Sequence, residues 1–353
     1  MRKITWTVAI ILCVTVFLIG CGKKDAGSVV QDLDDKMGGL TSYQGAGTMT
    51  LHTTEQPQSY EVEVWYQAPH YYRIALTNAK KNVTQIVLKN DEGVFVLTPQ
   101  LNKSFRFQSD WPEKQGQAYL YHTLVQSILQ DNNRQFTVDG EAYVFDVASN
   151  LQNNSLKRQR IWLDKKDYAP VKMEAIDSEN NVLLDVKFDS FDFDKKFDDD
   201  SFDMERNMTS FEIQSVPTMS DEWSEEDGAE ETAAAEQPKS NGSFGVLRPA
   251  YLPEGVVMKD MNDIKLGKEN GVLIRYEGDY SFTLTESRPK DRAASAINGT
   301  VLDLGFAFGI LLGDENKTLT WMNDGVEFRL TSSDLPQEEM VKIAQSMEDQ
   351  IGK

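Results

Sequence analysis

The chain of 353 residues is long enough for two domains, each with a core of its own. Its 40% hydrophobic and 26% charged residues are ordinary for a globular protein, so neither a disordered nor a membrane-embedded class is indicated. A net charge of −20 repels nucleic acid phosphates, and no basic stripe opposes it, which excludes nucleic acid as a partner.

Arg2 and Lys3 precede an apolar run from Ile4 to Ile19, which ends at Gly20-Cys21 and is followed by Lys23 and Lys24. A basic start, an apolar centre and a small residue before a cut site are the layout of a secretory signal. The run is shorter than the about 20 residues that span a bilayer. Leu18-Ile19-Gly20-Cys21 resembles a bacterial lipobox. That resemblance implies cleavage between Gly20 and Cys21 and attachment of a diacylglycerol to the Cys21 thiol. Two acyl chains hold a protein at a membrane where one does so only marginally. Residues 1–20 therefore read as a lipoprotein signal peptide and residues 21–28 as a lipidated tether, on the extracytoplasmic face of the cell membrane. An uncleaved anchor helix is the alternative, with the same exported location. Cleavage also removes Cys13, so the mature chain has one cysteine and no internal disulfide.

Val29, Val30, Leu33 and Met37 recur at helical spacing and stop at Gly38-Gly39, so a short helix opens the first domain. Strand signals then dominate. In "YEVEVWYQAP", Tyr60, Val62, Val64 and Tyr66 fall on one face and Glu61, Glu63 and Trp65 on the other. "YYRIAL" follows a break at Pro69, and "TQIVLKNDEGVFVLTP" predicts a hairpin turning at residues 90–93. "AYLYHTLVQSILQ" predicts a helix with Leu120, Leu124, Val125, Ile128 and Leu129 on one face. A second hairpin turns at Asp139-Gly140, and residues 158–191 give three more strands with a turn at residues 178–181. Many antiparallel strands with few helices make an α+β domain around one large curved sheet.

"WYQAPHYYRIAL", "RIWLDKKDYAPVKMEAID" and "VKFDSFDFDKKFDDDSFDM", in that order, resemble three signatures of the LolA-like lipoprotein carrier superfamily. With the lipobox and a second domain, the chain is similar to the LolA-like sporulation lipoproteins of Bacillus-type bacteria, the YdcC group. The resemblance implies an incomplete β-barrel, a strongly curved antiparallel sheet with a helical lid and an apolar cavity that takes an acyl-bearing ligand. Tyr60, Val62, Val64, Tyr66, Tyr72, Ile74, Leu120 and Leu124 would line that cavity; the same positions read equally as ordinary core between sheet and helix. Ala68 stands where the soluble carriers have a basic residue before the proline. An anchored chain with that change points to holding or sensing a lipid near its own membrane, rather than to shuttling.

Residues 29–215 thus form the half-barrel, and residues 216–243, rich in acids and alanines, read as a linker, disordered or partly helical. Residues 244–353 make a smaller α+β domain. Its strands are expected at "GVLIRYEG" and "YSFTLTES", with a hairpin through residues 323–325 and a last helix over residues 336–347. "PAYLPEGV", "TWMNDGVEFRL" and "LPQEEMVKIAQSM" resemble a small extracytoplasmic domain attached to some anti-sigma factors, which implies a membrane protein partner. "LGFAFGILLG", bracketed by Asp303 and Asp314, is too short to span a bilayer and predicts a buried strand pair or a loop packed beneath the hairpin.

Asp189, Asp192, Asp194, Asp198, Asp199, Asp200 and Asp203 lack the central glycine and terminal glutamate of a calcium loop, so they read as a solvated face and no metal is expected. His52, His70 and His122 have no metal-ligand spacing, and His122, on the lid helix, is the nearest to a functional candidate. No nucleophile elbow, phosphate loop or zinc-protease motif occurs. The expectation is a non-enzymatic envelope protein of sporulation that binds a lipid or acylated ligand, without cofactor. The alternative is a sensor or scaffold that binds a membrane protein through the C-terminal domain.

Overall fold

The computed structural model describes residues 24–52, 57–78, 80, 83–108, 117–151, 156–214, 246–266, 269–288, 297–323 and 325–347. The segment read as a signal, with Gly20 and Cys21, and residues 216–243, read as a linker, lie outside them. Helix α1 (Ala26–Gly38) begins where the Asp25 carboxylate accepts from Ser28 N at 2.8 Å, and it buries Val29 and Leu33, one turn apart. Helix therefore starts inside the stretch expected to be tether, because Asp25 is a good N-cap.

Strands β1 (Ser42–Leu51), β2 (Gln58–Gln67), β3 (Tyr71–Asn78), β4 (Val83–Asn90), β5 (Gly93–Thr98) and β6 (Lys103–Gln108) form a meander. Helix α2 (Tyr121–Gln130) leads to β7 (Gln135–Asp139), β8 (Ala142–Ala148), β9 (Arg158–Asp164), β10 (Pro170–Ile176) and β11 (Val182–Phe193), and then to helix α3 (Met204–Gln214). β11 returns to pair with β1, joining both meanders in the order β6-β5-β4-β3-β2-β1-β11-β10-β9-β8-β7. The sheet is strongly curved and not closed into a barrel. The β1–β11 register shifts between Ala46 and Gly47, where Asp189 of β11 is the extra, unpaired residue of a bulge. A Cβ on Gly47 would lie 2.0 Å from the Lys187 carbonyl oxygen, so only glycine lets the two backbones pass this close.

The period-two alternation of β2 survives: Tyr60, Val62, Val64 and Tyr66 are buried, while Glu61 is exposed and Glu63 and Trp65 are half-buried. Strands β3, β4 and β5 differ, with runs of five buried residues each. Helix α3, absent from the sequence reading, explains this. It brings Met204 and Met208 to Ala75, Ile86, Leu88, Phe95 and Leu97 on the convex face. There the Arg73 guanidinium lies 4.3 Å over the Trp65 ring and donates to Asn207 Oδ1 (2.6 Å) on α3 and to Glu63 Oε2 (2.7 Å).

The C-terminal part contains β12 (Val257–Leu266), β13 (Glu269–Glu277), β14 (Phe282–Ser287), β15 (Ile297–Asn298), β16 (Thr300–Asp303), β17 (Phe308–Leu312), β18 (Lys317–Asn323), β19 (Val326–Ser332) and helix α4 (Gln337–Gln345). Seven of these strands make an antiparallel sheet ordered β12-β13-β14-β19-β18-β17-β16, and β15 instead pairs in parallel with β6 of the first sheet. β12 is an addition to the sequence reading. It is an edge strand whose residues are mostly exposed, so it carries no apolar period. Glu286 on β14 is fully buried between Val272 and Phe328 in register; its Oε2 accepts from Leu247 N at 3.2 Å and its Oε1 has no partner.

Candidate functional site

The concave face of the first sheet carries the positions expected to line a cavity. Tyr60, Val62, Val64, Tyr66, Tyr72, Ile74, Leu120 and Leu124 are all buried and all belong to one apolar cluster with Val29 and Leu33 of α1 and Val125 and Ile128 of α2. Leu120 stands just before α2 as its N-cap, rather than within it. The strand registers separate two ends. Tyr43 faces Tyr66 at one end of β1, and Leu51 faces Gln58 at the other.

The Tyr43 end is an aromatic floor. The His122 ring lies 4.5 Å from Tyr66, 5.9 Å from Tyr43 and 6.2 Å from Tyr72, centroid to centroid, and its Nδ1 is buried without a partner. Burial without a compensating charge drives the imidazole pKa down to about 4, so His122 is neutral at pH 7. A base whose folded pKa is depressed contributes stability that is complete above about pH 6.5 and is lost as pH falls toward 4. Between pH 7.5 and pH 5 that loss is about 2 kcal/mol. His122→Phe, compared with the natural chain by urea unfolding at both pH values, should abolish this share of the decline; an unchanged slope refutes the assignment. The other histidines are peripheral, His52 bonding Asp185 at 2.7 Å and His70 bonding Asp91 at 2.9 Å.

The Leu51 end is covered by the C-terminal part. Gln85 faces Leu76 across the β3–β4 register. Its Oε1 accepts from Phe308 N at 2.8 Å and its Nε2 donates to Met322 O at 3.3 Å. The Tyr119 hydroxyl donates to Asp303 Oδ2 at 2.8 Å, and Gly305 N donates to Asp303 Oδ1 at 2.7 Å. Burial pushes the Asp303 carboxyl above its ordinary range, against these two donors, which hold it down. A cavity of about 30 Å³ remains at the seam, between Tyr60, Leu76 and Gln85 on one side and Phe306, Ala307 and Met322 on the other. That is room for one or two waters, against the several hundred Å³ of a pocket for a lipid-sized ligand.

Gln85 is an addition to the sequence reading, whereas the run after Asp303, read as a buried strand pair or a packed loop, holds the turn between β16 and β17 and then β17 itself. The signal was available in part: a glutamine inside "VTQIVL" and an acid bordering an apolar run both need partners when buried. The acidic segment behaves as a solvated face. Arg206 pairs with Asp198 and Asp200, and Asp194 accepts from Thr41. Among the described residues no group of three ligand-type side chains could hold a metal, and no helix is long and apolar enough to cross a membrane.

Residues 305–347 match a domain of unknown function, DUF4367, and residues 1–202 match the family described as sporulation protein YdcC-like. The chain is 37% identical over 346 residues to sporulation protein YdcC of Bacillus subtilis (strain 168), covering 97% of this chain and 96% of that one. Among solved structures it is similar to MucB, with 13% identity, a TM-score of 0.33 and coverage of 90% and 97% of the two chains. It is also similar to the LolA superfamily protein NE2245 from Nitrosomonas europaea, with 13% identity, a TM-score of 0.29 and coverage of 52% and 99%. A family match over more than half of the sequence, and a relative at that identity over nearly all of it, place the chain in the YdcC-like family of sporulation proteins.

Proposed function

We propose that the protein is a non-enzymatic lipoprotein, anchored through a diacylglycerol on Cys21 to the extracytoplasmic face of the cell membrane, and that its half-barrel holds an acyl-bearing ligand for the envelope during sporulation. In this reading residues 29–215 are the half-barrel, 216–243 a linker and 244–353 an accessory domain. The observation that carries it is the apolar cluster on the concave face under α1 and α2, interrupted only by a few polar side chains such as Gln85, Gln159 and His122, a curved surface that alternate strand residues present to a guest. For the anchor, the support is the order of parts. Lys24, three residues after Cys21, already bonds Asp32 and the Tyr168 hydroxyl through its ammonium, so a lipid on Cys21 would sit close to the first domain.

Intact-mass measurement of the membrane fraction tests the anchor, with the mass of the chain from Cys21 plus a diacylglycerol expected and release to the soluble fraction expected for Cys21→Ser. Any other N-terminus refutes it. Solvent extraction of that soluble variant tests the ligand, with about one lipid per chain expected and a lipid-free interior counting against it. A second reading, binding of a membrane protein partner through the C-terminal part, is favoured by β12. It is an edge strand of ten residues with Val257, Met258 and Met261 exposed, suited to strand addition. Crosslinking on the membrane with and without residues 244–353 discriminates: a partner lost on deletion supports it, and none removes it.

A further inference from the structure

Residues 304–307 form a tight turn. Asp303 faces Phe308 across the β16–β17 register, and Leu304 N donates to Ala307 O at 2.9 Å. Gly305, in the turn, has φ +84, and a Cβ there would lie 3.1 Å from Leu51 Cδ1 at the end of β1. Both the left-handed backbone and the close approach call for glycine. Leu304, Phe306 and Ala307 are buried in the same cluster as Leu51, Tyr60 and Leu76 of the concave face. Thus an apolar turn of the C-terminal sheet fills the position through which a long apolar guest would reach the half-barrel.

Trp321, Phe328, Leu330 and Ile343, at 0–1% exposure, lie on the C-terminal side of the same apolar cluster. Two features set the seam apart within it. Beside its buried apolar side chains and the short β15–β6 pairing, the seam carries polar contacts from Gln85 and Tyr119, groups that water satisfies when the surfaces part, as in separable interfaces. It also retains a cavity of about 30 Å³ beside Phe306, where a fused core is close-packed.

We propose that residues 303–308 are a built-in plug: they occupy the mouth of the half-barrel and must withdraw, with the C-terminal sheet intact, before an acyl chain can enter. This rests on the acyl-holding reading above. The hydrogen bonds of Gln85 to Phe308 N and Met322 O read only the backbone, so they hold the turn in place without binding a lipid tail, which has no amide to offer.

Two readouts on the chain from residue 21 onward, carrying Cys21→Ser, test this: hydrogen exchange at the Phe308 amide and binding of cis-parinaric acid. They are compared between that chain and two further variants, Phe306→Asp, which puts a charge on the plug, and Tyr119→Phe, which removes the donor to Asp303 without changing shape. Both variants should keep protection in the strands of each sheet. Both should exchange the Phe308 amide at least 10-fold faster and bind cis-parinaric acid at least 10-fold more tightly. If Phe306→Asp fails to fold, Tyr119→Phe carries the comparison. Opening of Phe308 only together with global unfolding overturns the plug. Equal cis-parinaric acid affinity before and after opening also overturns it, while leaving the acyl-holding reading intact. Opening with no binding in any variant supports withdrawal of the turn and overturns the acyl-holding reading instead.

Discussion

Gly47→Ala is expected to lower stability by about 4 kcal/mol or more, enough to leave the first sheet largely unfolded in mild urea. The added methyl would meet the Lys187 carbonyl oxygen at 2.0 Å and its carbon at 2.9 Å. Both atoms are backbone, so no rotamer change relieves the overlap; either the strands part or the β1–β11 register is lost. That register is the seam between the two meanders, so its loss separates them. Gly38→Ala is the control. A Cβ there meets nothing within 4 Å at the last residue of α1, and alanine should be neutral or stabilising by about 0.5 kcal/mol. Circular dichroism and urea midpoints decide: a Gly47→Ala midpoint near that of the control would mean the strands do not pass as described.

The second large effect is a pH dependence of opposite sign to that of His122. Burial raises the Glu286 carboxyl to about 7, and the single donation from Leu247 N only partly offsets this. An acid whose folded pKa is raised leaves stability complete below about pH 4.5 and takes it away as pH rises to about 7. The ionised form should therefore weaken the C-terminal sheet by about 2 kcal/mol at pH 8, after discounting for solvent screening. Glu286→Gln keeps an acceptor for Leu247 N and removes the charge. Its urea midpoint should exceed that of the natural chain at pH 8 and match it at pH 4.5. Equal midpoints at both would show that Glu286 stays accessible to water. Because His122 loses stability as pH falls and Glu286 as it rises, the two largely cancel between pH 4.5 and 6.5. Each slope appears only when the other group is replaced.

What could be read locally was read well. Turn residues at 90–93, Asp139-Gly140 and 178–181 fall where the β4–β5, β7–β8 and β10–β11 connections lie. The alternation of β2 named the buried tyrosines and valines, since one face of that strand meets water. What the sequence did not disclose depends on partners distant along the chain. The five-residue buried run of β3, including Arg73 and Ala75, depends on α3, for which Met204 and Met208, one helical turn apart, are the available hint. β12 escaped because Val257, Met258 and Met261 face solvent and impose no period. The contacts of Gln85 with Phe308 and Met322 span 223 and 237 residues, and no local pattern encodes them.

The position of β1 between β2 and β11 has a consequence for vectorial synthesis. Its two neighbours begin at Gln58 and Val182, so a chain emerging N-terminus first has a ribbon with one bare margin until the second arrives. The outer margin of β6 waits longer, for Ile297 and Asn298, and Leu51, Tyr60 and Leu76 stay uncovered on their far side until residues 304–307 follow. Pairings this distant form slowly. During that interval the nascent protein displays its stickiest surface, so holding factors should bind it most strongly before the last third of the polypeptide appears.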